Sequence, residues 1–428
     1  MNAVDLAALL RGHATRQSVP GAAVGVLCDG ALTTAFHGIA DVRTGEPVTA
    51  ETRFAAGSLT KSMVATVIVR LADAGRLALD DPAAVHVPEL RGVGWAERAS
   101  VRDLMANRSG LPLRADLEFG FDAHPDTGDG ALAGLVAELA AAAPTRLFWS
   151  YSNTGWCVLG RVIETASGTT WEAAMRRELF DAAGMIGTTF EQSPDASPRV
   201  AGHRVDQGRS TALQPTVSRA YGPAGTSVLT TVRDLLQFAA VHLTDPSLTE
   251  LRVPHAEVVI RGWLDAWGLG WARFDWQGGG AWGWDGLIGG ERCVLRLLPQ
   301  HNAAVAVMTN GSTGRAMYQA MLADLMTPLG VTVPPRELNA SPCAAGELSR
   351  FAGTYAWPDQ RFEVVASESG LVISDSGRER EARPLDDRSF VVYADDPDDP
   401  TITFGEFDAD GRPRVIYDML SALPRTDD

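Results

Sequence analysis

At 428 residues the chain exceeds one ordinary core, so a large body with one smaller unit is expected. Apolar residues make up 45%, enough for sizeable cores, while 37 basic against 53 acidic side chains leave a formal charge of −16. That charge repels phosphate backbones and anionic lipid surfaces, which argues against nucleic-acid and membrane partners.

The opening MNAVDLAALLRGHATRQSVPG has no basic segment leading into an apolar core, and no run reaches the roughly 18 apolar residues of a membrane span. A cytoplasmic location is the expectation. After a short amphipathic helix, residues 22–28 and 32–37 read as strands joined by a turn at Asp29–Gly30. Ser58 then precedes an apolar-periodic stretch from Leu59 to about Ala74, ended by Gly75, so the serine is expected at a helix N-terminus. Residues 80–245 are helix-rich, with helices predicted near 101–107, 131–142, 154–166, 171–179 and 232–242. Strand patterns return at 269–274, 293–298 and 303–308, followed by a helix over 314–326. Sheet segments on both sides of a helical middle predict a sheet body, a helical lobe and a cleft between them. The texture of residues 329–344 is that of a proline-interrupted linker. Beyond it, six short strands (353–355, 362–365, 371–374, 390–393, 401–404, 415–417) predict a small β-barrel or sandwich. The acidic segment Asp395–Asp399 lacks the ordered ligand spacing of a calcium loop and reads as a solvated turn.

The basic residues are the most informative part of the composition. Thirty-six of the 37 are arginine, and Lys61 is the only lysine. A guanidinium stays protonated at any working pH, whereas an ammonium loses its proton when burial lowers its pKa. Lys61 therefore marks a position where positive charge alone does not serve. It stands three residues after Ser58, one helical turn on and on the same face, the spacing of a nucleophile and its base. Tyr151-Ser152-Asn153 supplies a proton-carrying phenol and an orienting amide, although alone it reads equally as an aromatic at a helix start with a capping asparagine. The glycine-rich stretch Gly280–Gly290 allows close backbone approach to a substrate, or simply turns a hairpin. Cys28, Cys157, Cys293 and Cys343 are scattered and read as free thiols, with no Cys-x-x-Cys pair. No Gly-x-Ser-x-Gly and no His-x-x-x-His occurs, which leaves a histidine triad or a metal site without support. Neither metal nor cofactor is expected.

Taken together, Ser58-x-x-Lys61, Tyr151-x-Asn153 and a third triplet at Trp284-Asp285-Gly286 resemble the penicillin-recognising serine enzymes. These include class C β-lactamases, D-alanyl-D-alanine carboxypeptidases, D-aminopeptidases and related esterases. The likeness runs over residues 18 to about 326 and includes VPGAAVGVL, ETRFAAGSLTKS, NRSGLP and GPAGTSVLTTVRDL in family order. It implies an α+β fold, with an antiparallel sheet flanked by helices, a helical lobe and then a lipocalin-like barrel. Residues 1–328 would form the catalytic domain, 329–344 the linker and 345–428 the barrel. The same resemblance makes Ser58 the acylated nucleophile, Lys61 its base and Tyr151 a second proton carrier. Which of the last two takes the first proton stays open. Asn153 would hold the substrate, and the backbone N–H groups of Ser58 and Leu287 would form the oxyanion hole. In the third triplet, tryptophan stands where relatives carry Lys or His, which argues against substrates presenting a carboxylate. Trp284, Asp285 and Gly286 would line the substrate site, with Asp285 either attracting an amine or stabilising a turn. Trp149, Trp156, Trp282 and Trp284 would supply aromatic surface for an acyl chain, or ordinary packing. The activity implied is serine hydrolysis or acyl transfer on small-molecule or peptide esters and amides. Alternatives are a penicillin-binding-protein-type thioesterase that cyclises peptides, a D-aminopeptidase-like peptidase, and a non-catalytic binding scaffold.

Overall fold

The computed structural model describes residues 5–111, 128, 130–141, 149–213, 218–258, 260, 264–335, 348–357, 360–392, 401–418 and 420–426. Its centre is a seven-stranded antiparallel sheet in the order Ala31–Gly38, Gly21–Cys28, Ala303–Thr309, Glu291–Leu298, Ala281–Ile288, Ala272–Phe274, Ala266–Trp267. Asp29 and Gly30, both at positive φ, make the tight turn of the first hairpin. Gly21–Cys28 pairs along its length with Ala303–Thr309, so the chain leaves its sheet after two strands, builds the helical lobe and returns.

Cross-strand register defines the two faces of this sheet. Trp284, Leu295, Ala306 and Gly25 stand opposite one another in turn and share one face. A side chain on Gly25 would run into Leu236 and Val232, so the helix Val232–Thr244 covers that face. The other face carries Asp285 and Arg296 and is covered by Gly314–Met326, itself tied to the first helix, Leu6–Arg16, by the 2.7 Å contact of His13 with Asp324. Burial on both faces explains why Glu291–Leu298 and Ala303–Thr309 are buried at every position, the first despite carrying Glu291, Arg292 and Arg296.

The helical lobe packs Asn153–Ser167 against Thr60–Asp73. Ser152 caps the first of these by accepting from the Gly155 N–H, and Gly168 at φ +70° ends it. Two sequence expectations change here. Of the segment 269–274 only 272–274 is strand; it follows a turn in which Gly270 has φ +79° and which joins it to a short strand at 266–267. Most of the glycine-rich stretch 280–290 is itself a full strand, Ala281–Ile288. Its glycines and polar residues hid the alternation by which a strand is recognised.

After the body, eight antiparallel strands follow one another as a meander: Gly353–Trp357, Gln360–Ala366, Leu371–Asp375, Arg378–Pro384, Ser389–Val391, Thr401–Phe407, Pro413–Asp418 and Ser421–Pro424. A bridge between Tyr355 and Arg425 nearly closes them into a barrel. Six of the eight were legible. Arg378–Pro384 (REREARP) has only two buried positions, and Ser421–Pro424 is short and ends in proline, so neither carries an apolar signature. The interior is filled by Phe351, Tyr355, Phe362, Phe390 and Phe404, with ring centroids of Phe351 and Phe404 4.7 Å apart. The last hairpin is buried on two sides. Ile416 and Leu423 point into the barrel, while Val415, Tyr417 and Ala422, next to them along the strands, pack into the core of the body. Asp395–Asp399, Cys343 and most of the linker lie outside the described residues.

Candidate active site

The strand Phe54–Ala55 delivers the chain to Ser58. It is pinned by the Ala56 N–H donating to the Val228 carbonyl (2.8 Å) and the Ala55 N–H donating to the buried carboxylate of Glu291 (2.8 Å). Gly57 at φ +55° turns the backbone, and Gly57–Leu59 forms one 3-10 turn that runs directly into the helix Thr60–Asp73. Ser58 thus sits in the tight turn that opens the helix, at its N-terminal end.

Lys61 is fully buried at 0% exposure. Its Nζ lies 3.0 Å from Ser58 Oγ and donates to the Ala224 carbonyl. Burial pushes this amine from the ordinary 10.5 down to about 7, opposed only by a weaker pull from the neighbouring Cys157. A large share of Lys61 is therefore neutral close to neutral pH.

Tyr151 completes the group. Its hydroxyl hydrogen-bonds with Ser58 and accepts from Trp284 Nε1 at 3.0 Å, and its ring centroid is 4.9 Å from Lys61 Nζ. Burial raises the hydroxyl well above the usual tyrosine range; the bonds to Ser58 and Trp284 lower it by less, and the Asp285 charge adds to the rise. The phenol holds its proton where the amine readily loses one. The loop before it is anchored by the Ser150 N–H on the Asn107 carbonyl (2.8 Å), with the Asn107 side chain accepting from Trp156 Nε1 (3.1 Å). Asn153 opens the following helix and is half-buried.

Trp284 is buried against Tyr151 (centroids 5.4 Å) and meets Trp267 edge-on (4.9 Å). Trp149 also contacts Trp267 (6.2 Å), so these rings form a closed cluster under Tyr151, whereas Trp156 lies in the lobe core. Gly286 brings the strand against the Ser58 turn. A side chain there would sit 2.0 Å from the Ala56 carbonyl oxygen, and one on Gly57 would sit 2.6 Å from the Leu287 nitrogen. This close approach places the Leu287 N–H next to the Ser58 turn. Pairing with Ala272–Phe274 stops at Gly283, and no other described strand covers the edge beyond it. Beside that edge, Ala55, Thr226, Ile288, Arg199 and Glu291 help to line a cleft of about 240 Å³.

Asp285 is not brought to this group. Strand alternation turns it to the opposite face, where its carboxylate contacts Arg296 Nη1 (2.6 Å) and accepts from the Tyr318 hydroxyl (2.6 Å). Burial pushes this carboxyl up, but Arg296, Tyr318 and Arg315 outweigh it and hold it below the ordinary carboxylate range. The role of attracting a substrate amine gives way to an ion pair that fixes the strand. Three contributors were not singled out from sequence. Ala224 acts through its carbonyl, within the segment GPAGTSVLTT, and Trp267 and Leu420 carry no local motif.

Residues 6–325 match the family model described as Beta-lactamase. The chain belongs to the beta-lactamase family. Penicillin-binding protein 4 of Amycolatopsis lactamdurans is 31% identical over 367 residues, which cover 80% of this chain and 94% of that protein. The crystal structure of SurE superposes over 99% of this chain and 98% of its own, with TM-score 0.80 and 28% identity. A class C beta-lactamase from Rhodobacter sphaeroides shares the fold over 75% of this chain and 99% of its own (TM-score 0.63, 21% identity). The architecture is that of the β-lactamase and penicillin-binding proteins with a barrel added, and the chain takes its place among serine hydrolases of this type.

Proposed function

We propose that the protein transfers acyl groups from neutral ester or amide donors through an acyl-Ser58 intermediate. The observation that carries this reading is the pairing of Ser58 with a fully buried lysine 3.0 Å away whose pKa is about 7. Neutral Lys61 takes the Ser58 proton as Oγ attacks the acyl carbon, and the oxyanion is held by the N–H groups of Ser58 and Leu287. The opposite displacements of the two pKa values support Lys61 as the first proton acceptor, with Tyr151 as the donor to the leaving group. Water or an amine then takes the acyl group, with the proton returned through the same pair. Trp284, in the place where relatives carry a cation, favours donors without a carboxylate. Asn153 and Gly286 border the substrate.

A fluorophosphonate probe is expected to label Ser58, read by mass spectrometry of the digested protein. A folded sample that remains unlabelled would refute the reading. The rate of labelling should rise about tenfold per pH unit below 7 and level off above it, because only neutral Lys61 accepts the proton. Trp284→His introduces a group that, when charged, lowers the neighbouring amine further, so the rising limb should move to lower pH. p-Nitrophenyl and methyl esters bearing the same acyl groups would identify the donor.

A second reading, in which the acceptor is an amine and the product a peptide bond, is favoured by likeness along the whole chain to SurE, which has also been solved with D-Leu (TM-score 0.80, 28% identity). Acyl-D-leucine esters offered with an amine should then partition to amide. Hydrolysis alone at every amine concentration would rule this acceptor out.

A further inference from the structure

We infer that the final hairpin of the barrel, Pro413–Pro424, is a positioning element for Tyr151, so that the barrel acts on the site through that one residue. This rests on the reading of Tyr151 as the leaving-group proton donor. Three contacts of different kinds converge on the three residues that end in that tyrosine, and a fourth seats the hairpin in the body. The Tyr151 N–H donates to the Leu420 carbonyl (3.1 Å). The Ala422 N–H donates to Ser150 Oγ (3.2 Å). The ring of Tyr417 meets that of Trp149 at 5.7 Å. The Leu420 side chain, 4% exposed, packs with the apolar core of the body.

The backbone at Leu420 points the same way. Its φ is +76°, in the left-handed region that a leucine enters only when its surroundings compel it. Leu420 is the second residue of the two-residue turn that joins Asp418 to Ser421, and the turn is set so that its side chain is buried in the body and its carbonyl meets Tyr151. From the other side, Tyr151 is joined to the body through the Ser150 N–H on Asn107 and through Trp284 on its hydroxyl. The phenol is thus held at its tip by the sheet and at its backbone by the barrel. A loosened hairpin would leave the hydroxyl less well aimed at the departing group while Ser58 and Lys61, carried by a different helix, keep their geometry.

That separation gives a test in the full-length protein, using the p-nitrophenyl and methyl esters of one acyl group accepted in the screen above. The p-nitrophenolate leaves without a proton, whereas methoxide needs one. Leu420→Gly, Tyr417→Ala and Ser150→Ala are each expected to lower kcat/KM, which reports acylation alone, on the methyl ester at least threefold while changing kcat/KM on the p-nitrophenyl ester less than twofold. In a Tyr151→Phe background the same substitutions should cost nothing further on the methyl ester. Equal losses on both esters, or undiminished losses in the Tyr151→Phe background, would overturn the inference by showing a merely structural contact. A methyl-ester rate unchanged by Tyr151→Phe alone would instead remove the role given to Tyr151. Should the glycine or alanine variants of the hairpin not fold, Ser150→Ala, which deletes one oxygen from the body side, carries the same cycle.

Discussion

Lys61→Met is expected to abolish turnover, by at least about 10³-fold, and at the same time to raise the melting temperature. The two effects share one cause. An amine displaced from 10.5 to about 7 by full burial opposes folding by about 4 kcal/mol at pH 7, at about 1.4 kcal/mol per tenfold change in proton affinity. Methionine fills the same volume without a charge to desolvate. It also leaves the Ala224 carbonyl without its donor, which reduces the net gain to about 1–3 kcal/mol. The folded pKa lies below the unfolded one, so between pH 7 and 10.5 the unfolded chain binds the extra proton and the parent gains stability as pH rises. The advantage of the methionine variant should therefore be largest at or below pH 7 and fade toward pH 10, as thermal melts across that range would show. Lys61→Arg separates charge from chemistry. It keeps the charge but cannot shed it, so it should be inactive and less stable than the parent by several kcal/mol. A stable Arg variant turning over substrate at the parent rate would end the proton-acceptor role.

Gly286→Ala should also be severe, for a steric reason. Its methyl would lie 2.0 Å from the Ala56 carbonyl oxygen and 3.1 Å from the Gly57 Cα, both rigid backbone. The strand must then retreat from the Ser58 turn, which takes the Leu287 N–H away from the nucleophile. Loss of one oxyanion donor corresponds to about 10²–10³ in kcat. Overpacking of this kind also costs about 1–3 kcal/mol of stability. Kinetics and denaturant melts on the same sample would show both. A variant with parental kcat would mean that Leu287 plays no part in holding the oxyanion.

The contrast between these two positions separates local signals from tertiary ones. Lys61 announced itself in the sequence because a chain that otherwise uses only arginine keeps one lysine, one helical turn after a serine at a helix start. That rule depends on helical geometry alone, so it needs no partner from elsewhere in the chain. Tyr151 and Gly286 were legible only as members of a family pattern, and Asp285 was misplaced from the same triplet. Strand alternation sends neighbouring residues to opposite faces, but the identity of each face is set by strands and helices that meet it from distant parts of the chain. Likewise, nothing local distinguishes Leu420 from any other leucine in a hairpin. The order of the elements and the proposed nucleophile and base follow from short-range periodicity and side-chain chemistry, whereas the depth at which Lys61 is buried against Ala224 and the contacts that tie Tyr151 to Trp284 and Leu420 exist only once segments more than 100 residues apart pack together.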